Sequence, residues 1–234
     1  MQVIAFDIKS STAHFRRPDT TTTHLTYPFM TPTAAKGLVG AILGEEDFTT
    51  SDIIGIQLLK PVRSIAQQMS MLGKIGKATC DTFNRPTTIE LLVNPAYRLY
   101  YAGNEYTEKL YHQLKEGKSV YPTYLGSAFA LTKPENLQLL ETKPVDISEG
   151  KQVDSLTVVP VPVIQELKIT EEAHYSRANG FLRYYKGNRN FEKSVDFLFE
   201  HNGKPVSFQP QNAELIQAEE ITMVEMEEGF LCLL

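Results

Sequence analysis

Between His14 and Gly44 the chain reads HFRRPDTTTTHLTYPFMTPTAAKGLVGAILG. Arg16 and Arg17 can each present several N–H donors, in a fork that suits phosphate oxygens. Thr20, Thr21, Thr22 and Thr23 add short hydroxyl donors, which position a nucleic-acid backbone without reading its sequence. His14, Phe15, His24 and Tyr27 offer flat rings on which unstacked bases can rest. Thr31-Pro32 reads as a helix start, and Lys36 falls one turn inside, near the helix end that favours anions. Taken singly, an arginine pair on a solvated loop and threonines on an edge strand give the same pattern. Taken together, the cluster points to a phosphate backbone. His14, His24, Tyr27 and Lys36 are also the groups a metal-independent ribonuclease needs: a base, an acid and a cation. A histidine beside arginines more often contacts RNA or packs than catalyses.

A second basic group follows. Lys60, Arg63, Lys74, Lys77 and Arg85 stand against one acid, Asp81, over residues 60–85. Gly73 and Gly76 bracket Lys74. Met69, Met71, Leu72 and Ile75 near the middle of this stretch suggest a partner surface, and a solvated loop is the plainer alternative. A third group interleaves Arg177, Arg183, Lys186, Arg189 and Lys193 with Tyr175, Phe181, Tyr184, Tyr185 and Phe191. That pattern fits a second nucleic-acid or protein contact, and simple strand alternation produces it equally well.

Other chemistries find no support. There is no G-x-x-x-x-G-K-[ST] and no G-x-G-x-x-G, so GKIGK and KGLVG are not nucleotide loops. His112, His174 and His201 have no metal-ligand spacing, and Cys80 and Cys232 stand far apart. No cofactor or metal is expected, and the cysteine usage points to a reducing, cytoplasmic setting. The longest uncharged apolar run, GLVGAILG, falls well short of the ~20 residues that span a bilayer, so no membrane partner is expected. The net charge of -5 is uneven. Residues 1–120 carry 13 Lys/Arg against 11 Asp/Glu, and residues 121–234 carry 10 against 17. A basic face toward RNA with an acidic face elsewhere fits this asymmetry, and so does an acidic tail that only aids solubility.

These residues need elements to position them. Gln2 to Ile8 alternates, with Ile4, Phe6 and Ile8 on one face, and reads as a half-buried strand. After the donor-rich loop comes a helix to about Leu43, stopped by Gly44. Leu38, Val39, Ile42 and Leu43 form its apolar face. Gly37, Gly40, Ala41 and Gly44 form a small-residue face that allows close backbone approach. A second strand is expected over Ile53–Leu59, continuing past Pro61 toward Ile65. A third runs from Ile89 to Tyr101, interrupted at Asn94-Pro95. The basic excursion lies between them. A second helix spans Tyr106–Lys118, and a fourth strand Gly126–Thr132. The order β-α-β-β-α-β predicts an α+β, ferredoxin-like fold. From Lys133 onward the chain is β-rich, and His201-Asn202-Gly203-Lys204 reads as a tight hairpin turn.

The first strand followed by Phe15-Arg16-Arg17-Pro18, Thr20 to Thr23, Thr26-Tyr27-Pro28-Phe29, Pro32-Thr33 and Gly37 to Gly44 resembles the N-terminus of CRISPR-associated protein family five, of the RAMP superfamily. Asn94 to Arg98, Tyr121 to Gly126 and Val158-Val159-Pro160 extend the resemblance more weakly. The form of the first 44 residues looks most like the type I-B branch. The resemblance implies a ferredoxin-like (RRM-type) domain over residues 1–132, with a thumb inserted at about 62–90, and a small β-rich C-terminal region over 133–234. It implies a subunit of a Cascade surveillance complex in antiviral defence. Such a subunit caps the 5′ handle of crRNA, meets the backbone subunit through the thumb, and touches the large subunit. Target DNA is reached through the assembled complex. The expected RNA contacts are Arg16, Arg17, Thr20, Thr21, Thr22, His24, Tyr27, Lys36, Arg63, Lys74, Lys77 and Arg85. The type I-B look implies a non-catalytic chain. The alternative is the type I-C behaviour, in which the protein itself cuts precursor crRNA with Tyr, Lys and His, a triad not placed on this sequence.

Overall fold

The computed structural model describes residues 1–74, 82–145, 147 and 151–234. The architecture is mixed α+β, mostly strands with three short α-helices and one 3-10 turn among the described residues. Strand β1 (Gln2–Lys9) leads through β2 (Thr12–Ala13) and the donor-rich loop to α1 (Pro32–Leu43). Then come β3 (Ile53–Leu58), β4 (Ser64–Lys74), β5 (Thr82–Val93), β6 (Ala96–Ala102), α2 (Thr107–Lys115) and β7 (Glu135–Glu141). The main sheet has the order β3-β6-β1-β7, all antiparallel, so β1 lies at its interior between β6 and β7.

Helix α1 forms where local chemistry dictates. The Thr31 hydroxyl accepts from the Ala34 N–H at 3.1 Å, and Pro32 occupies the first turn, where its missing N–H costs nothing. Gly44 ends it at φ 77°, a left-handed position natural to glycine, with its N–H on the Gly40 carbonyl. Ala35, Leu38, Val39, Ile42 and Leu43 are buried in one core with Ile4, Phe6 and Ile8 of β1. The small-residue face receives side chains, not a backbone: Gly40 faces Phe48 and Gly44 faces Val120, while the N–H groups of Val120 and Tyr121 satisfy the last-turn carbonyls of Ile42 and Ala41.

Strand β1 is buried on both faces, not on one. Val3 and Ala5 pack with Tyr100 and Ala102 against Val224, Leu231 and Leu233. The last three belong to β15 (Thr222–Met226) and β16 (Gly229–Leu233), a hairpin that covers the sheet opposite the helices. A local alternation cannot announce a cover that comes from the far end of the chain.

The third and fourth expected strands are redrawn. Asn94 takes φ 49° before Pro95 and splits the 89–101 segment into β5 and β6, which enter different sheets. Likewise β3 ends at Leu58, and the chain resumes as β4 beyond Pro61. Residues 126–132 form a loop, closed by a bridge between Tyr124 and Leu131, and the fourth sheet strand is β7. Only Leu137 and Leu140 of β7 are even half-buried. An edge strand with one neighbour needs little apolar alternation, so its sequence signal is weak.

The C-terminal part contributes β8 (Lys143–Pro144), β9 (Val153–Ser155), β10 (Val159–Pro160), β11 (Ile164–Leu167), β12 (Tyr175–Tyr185), β13 (Phe191–Glu200), β14 (Val206–Pro210) and α3 (Ala213–Ala218) before β15. Strands β12 and β13 form a long hairpin that packs beside α1, with Phe181, Phe197 and Phe199 gathered around Phe29. The turn at His201–Lys204 is real, but it is not the turn of a hairpin. It carries the chain from β13 into β14 of a different sheet. Both Asn202 and Lys204 donate their N–H groups to the Glu200 carboxylate there.

Candidate nucleic-acid interface

Strands β4 and β5 pair over their whole described length, from Ser64–Leu92 to Lys74–Thr82. The 11 residues of β4 reach about 35 Å. Most of this ribbon has no core of its own: Ile65, Met71, Leu72 and Phe83 are exposed, Leu72 at 71%. The expected excursion is thus an ordered two-stranded projection over its described residues. Lys77 and Ile75 lie outside them.

The donor-rich loop is laid along the root of this projection. Thr12 and Ala13 pair with Val93 and Leu92 on the edge of β5 that faces away from β4. Further along the same edge, His24 donates its N–H to the Thr88 carbonyl at 2.9 Å, and its carbonyl accepts from the Glu90 N–H at 2.9 Å. Between these anchors the chain folds back on itself, with Arg17 and Tyr27 donating their N–H groups to the carbonyls of Leu25 and Phe15. The threonine run lies at the exposed tip of this fold, where Thr21, Thr22 and Thr23 are exposed and the Thr20 hydroxyl donates to the Arg17 carbonyl.

Glu90 fastens loop to ribbon. Its carboxylate accepts from the Thr26 N–H at 3.1 Å and the Ser64 hydroxyl at 2.8 Å. Its main-chain carbonyl accepts from His14 Nδ1 at 2.8 Å.

The predicted contacts divide into groups. Arg16, His24 and Arg85 come together. The His24 imidazole is held below its ordinary value by partial burial first, and then by the charges of Arg16, His14 and Arg85. Arg16 is exposed and, among the described residues, its side chain donates to the Thr20 carbonyl alone, and Arg85 is exposed on β5. Arg63 is exposed at the root of β4. Arg17 is engaged with Asp19 through two hydrogen bonds of 3.1 and 2.7 Å. That exposed pair is worth little, so a phosphate can compete for it.

Two expected contacts are displaced. Tyr27 is 6% exposed, packs on Phe181 with ring centroids 4.3 Å apart, and donates its hydroxyl to the Gly180 carbonyl at 2.6 Å. It is core, not surface. Lys36 opens onto a different cavity, where its charged neighbours are Arg183, Asp52 and Glu105. His14 and Phe15 are buried as well, and burial pushes the His14 imidazole down. The four groups of the ribonuclease reading therefore do not share one surface.

The third basic group also resolves. Arg177 pairs with Asp196 at 2.6 Å, Lys186 with Glu192 at 3.1 Å, and Lys193 with Glu220 at 2.9 Å. Phe181 and Arg183 are both buried, so the group does not form one exposed basic and aromatic surface.

The segment from Val120 to Leu131, expected to lead into a fourth strand, is a loop. It lies beside His14, whose N–H donates to the Leu125 carbonyl. Gly126, at φ 80°, permits that approach: a Cβ there would stand 2.0 Å from the His14 oxygen. Tyr121, Tyr124, Phe129 and Leu131 are exposed on it. The signal was present in YPTYLGSAFAL, but its aromatic residues suit a strand equally well.

The sheet face opposite the helices, where base-stacking rings sit in RRM-type proteins, is sealed here. Tyr100, at its centre, is 1% exposed and donates its hydroxyl to Gln57. The exposed basic surface is instead the loop and the ribbon.

Known proteins share this fold. A family model described as CRISPR-associated protein (Cas_Cas5) matches residues 3–79, which span β1, the donor-rich loop, α1, β3 and β4. No curated protein matches the chain in sequence. A CRISPR protein from Archaeoglobus fulgidus, solved by crystallography, is 10% identical and superposes over 99% of this chain and 98% of its own, with a TM-score of 0.59. A chain of a CRISPR RNA-guided surveillance complex is 14% identical over 90% of this chain and 92% of its own, with a TM-score of 0.51. The N-terminal third of the chain is thus similar in sequence to the CRISPR-associated Cas5 family, and the chain as a whole shares the fold of solved CRISPR proteins.

Proposed function

We propose that this chain is an RNA-binding subunit of a CRISPR effector complex that grips the 5′ handle of a crRNA without cutting it. The observation that carries the reading is the junction of loop and ribbon. Arg16 and His24 of the loop share a neighbourhood with Arg85 of β5, both arginine charges acting on the His24 ring, where Glu90 ties the loop to the ribbon through Thr26 and Ser64. Single-stranded RNA takes its affinity from such cations, with hydroxyls and main-chain N–H groups setting position. Thr20, Thr21 and Thr22 extend the surface on one side and Arg63 on the other, and Lys74 and Lys77 complete the proposed contact set. Similarity to the Cas5 family over the loop supports the same ligand.

In this reading the ribbon, with its exposed Met71 and Leu72, meets the backbone subunit. The body touches the large subunit, and target DNA is reached through the assembled complex. The type I-B branch is the best fit to the N-terminal motif. The non-catalytic role is favoured because His14 and Tyr27 spend polar atoms inside the protein and Lys36 faces elsewhere.

The test is the salt dependence of binding to a repeat-derived handle RNA. Replacing both Arg16 and Arg85 with Ala should weaken binding about tenfold or more, and should lower the slope of log K against log salt by roughly 0.7 for each phosphate no longer neutralised. An unchanged affinity and slope would remove the reading. Metal-free cleavage of the same RNA would favour the endoribonuclease instead.

A further inference from the structure

Residues 123–132 fold back on themselves beside the donor-rich loop. Leu125 donates its N–H to the Ala130 carbonyl at 2.9 Å, and Thr132 donates its N–H to the Thr123 carbonyl at 3.0 Å. The Thr123 hydroxyl returns to the Thr132 carbonyl at 2.7 Å. The Thr132 hydroxyl fastens this segment to β1, accepting from the Lys9 N–H and donating to the Lys9 carbonyl. Alternation along the two paired arms then sorts the side chains. Leu125 and Ala130 are fully buried, while Tyr124, Phe129 and Leu131 are exposed, the last two by more than half. Two rings and a leucine are thus held out to solvent on a braced support.

Exposed apolar side chains grouped in this way mark a contact surface. Position and charge name the occupant. His14 donates its N–H to the Leu125 carbonyl, and Thr12 and Ala13 just before it pair with β5, so one hydrogen-bonded succession joins the ribbon, the donor-rich loop and the ring-bearing segment. Gly126 stands against Phe15, the residue before Arg16. No charged residue lies between Lys118 and Lys133, and the first carboxylates on either side in sequence, Glu116 and Glu135, are paired with Lys118 and Lys9. The adjoining loop, over residues 14–30, carries Arg16 and Arg17 against one acid, Asp19. Uncharged rings beside a cationic, hydroxyl-rich stretch suit single-stranded nucleic acid, whose phosphates go to cations and whose bases rest on aromatic faces. The sheet face opposite the helices supplies no such rings, because Tyr100 at its centre is sealed.

We propose that Tyr124 and Phe129 form the base-stacking platform for the RNA strand whose phosphates lie on the Arg16 loop. The inference rests on the RNA-binding reading above and adds base faces to a site otherwise made of phosphate contacts. Stacking is tolerant of sequence, because every base has a π-face. It also neutralises no phosphate, so it adds affinity without adding salt dependence.

Anisotropy titrations of the folded full chain with a labelled, repeat-derived handle RNA test the platform. Tyr124→Leu and Phe129→Leu keep apolar bulk at exposed positions and remove the rings. Each should weaken binding about fivefold or more, with the slope of log K against log salt unchanged. Tyr124→Phe retains a ring and should bind as the parent chain does. A handle RNA made abasic should bind the parent chain more weakly and should erase its advantage over Phe129→Leu. Parent-like affinity in both leucine variants, with the effect of Arg16→Ala and Arg85→Ala intact, overturns the platform and leaves the RNA-binding reading standing. If those leucine variants bind RNA normally but fail to join an assembled complex, the surface docks protein and the proposal is wrong. Loss of affinity on ring removal without any response to the arginine substitutions keeps the platform and removes the phosphate assignment. Absence of RNA binding by the folded parent chain removes both.

Discussion

His14 and Glu90, 76 residues apart, are joined by a 2.8 Å hydrogen bond from the imidazole Nδ1 to a main-chain carbonyl. The bond fixes the tautomer, because a carbonyl can only accept. It also turns a residue with catalytic credentials into a strut between the loop and the ribbon. The Glu90 carboxylate, reaching Thr26 and Ser64, braces the same joint from the other side.

Glu90→Ala should therefore damage both stability and binding. It strips the Thr26 N–H and the Ser64 hydroxyl of their acceptor, and an orphaned buried donor costs about 1–3 kcal/mol. Urea unfolding should show that decrease, and handle-RNA affinity should fall with it as the loop comes free. Glu90→Gln keeps one acceptor oxygen and should recover part of both. Equal affinity across all three proteins would show that the joint does not position the contacts.

Stability should decline in mild acid. His14 is buried and its imidazole sits below the ordinary value of 6.5. The unfolded chain then takes up its proton first as pH falls, so stability is full above about 6.5 and is lost as pH drops toward the folded value. Urea midpoints at pH 7.5 and 5.5 measure this. His14→Asn keeps an N–H donor without a titrating ring and should reduce the difference between the two midpoints. An unaltered difference would place the acid sensitivity elsewhere.

Tyr27→Phe separates packing from recognition. The hydroxyl removed is the one donating to the Gly180 carbonyl at 2.6 Å, worth about 0.5–1.5 kcal/mol. The thermal midpoint should fall by a few degrees while RNA affinity stays within twofold. A large drop in affinity at unchanged stability would return Tyr27 to the RNA surface.

The two ends of α1 were readable because caps are local chemistry. Thr31, Pro32 and Gly44 act within four residues of themselves. The first strand was readable from its alternation, and the ribbon from a polar, basic stretch between two strand-like segments. The donor-rich loop carried its own composition and its family resemblance. None of this needs a distant partner.

What failed in each case was a matter of cover. β1 reads as half-buried until β15 and β16 close its second face. Tyr27 and Phe15 read as exposed rings until Phe181 and Tyr97 pack on them. β7 hides because an edge strand needs few apolar residues, and Lys36 leaves the loop's company because helix α1 turns it toward β12. Side-chain type is written residue by residue along the chain. Exposure, charge pairing and shared surface arise only when segments far apart in sequence are brought into contact, and here that contact buries Phe15 and Tyr27 while Arg16 and Arg85 stay exposed.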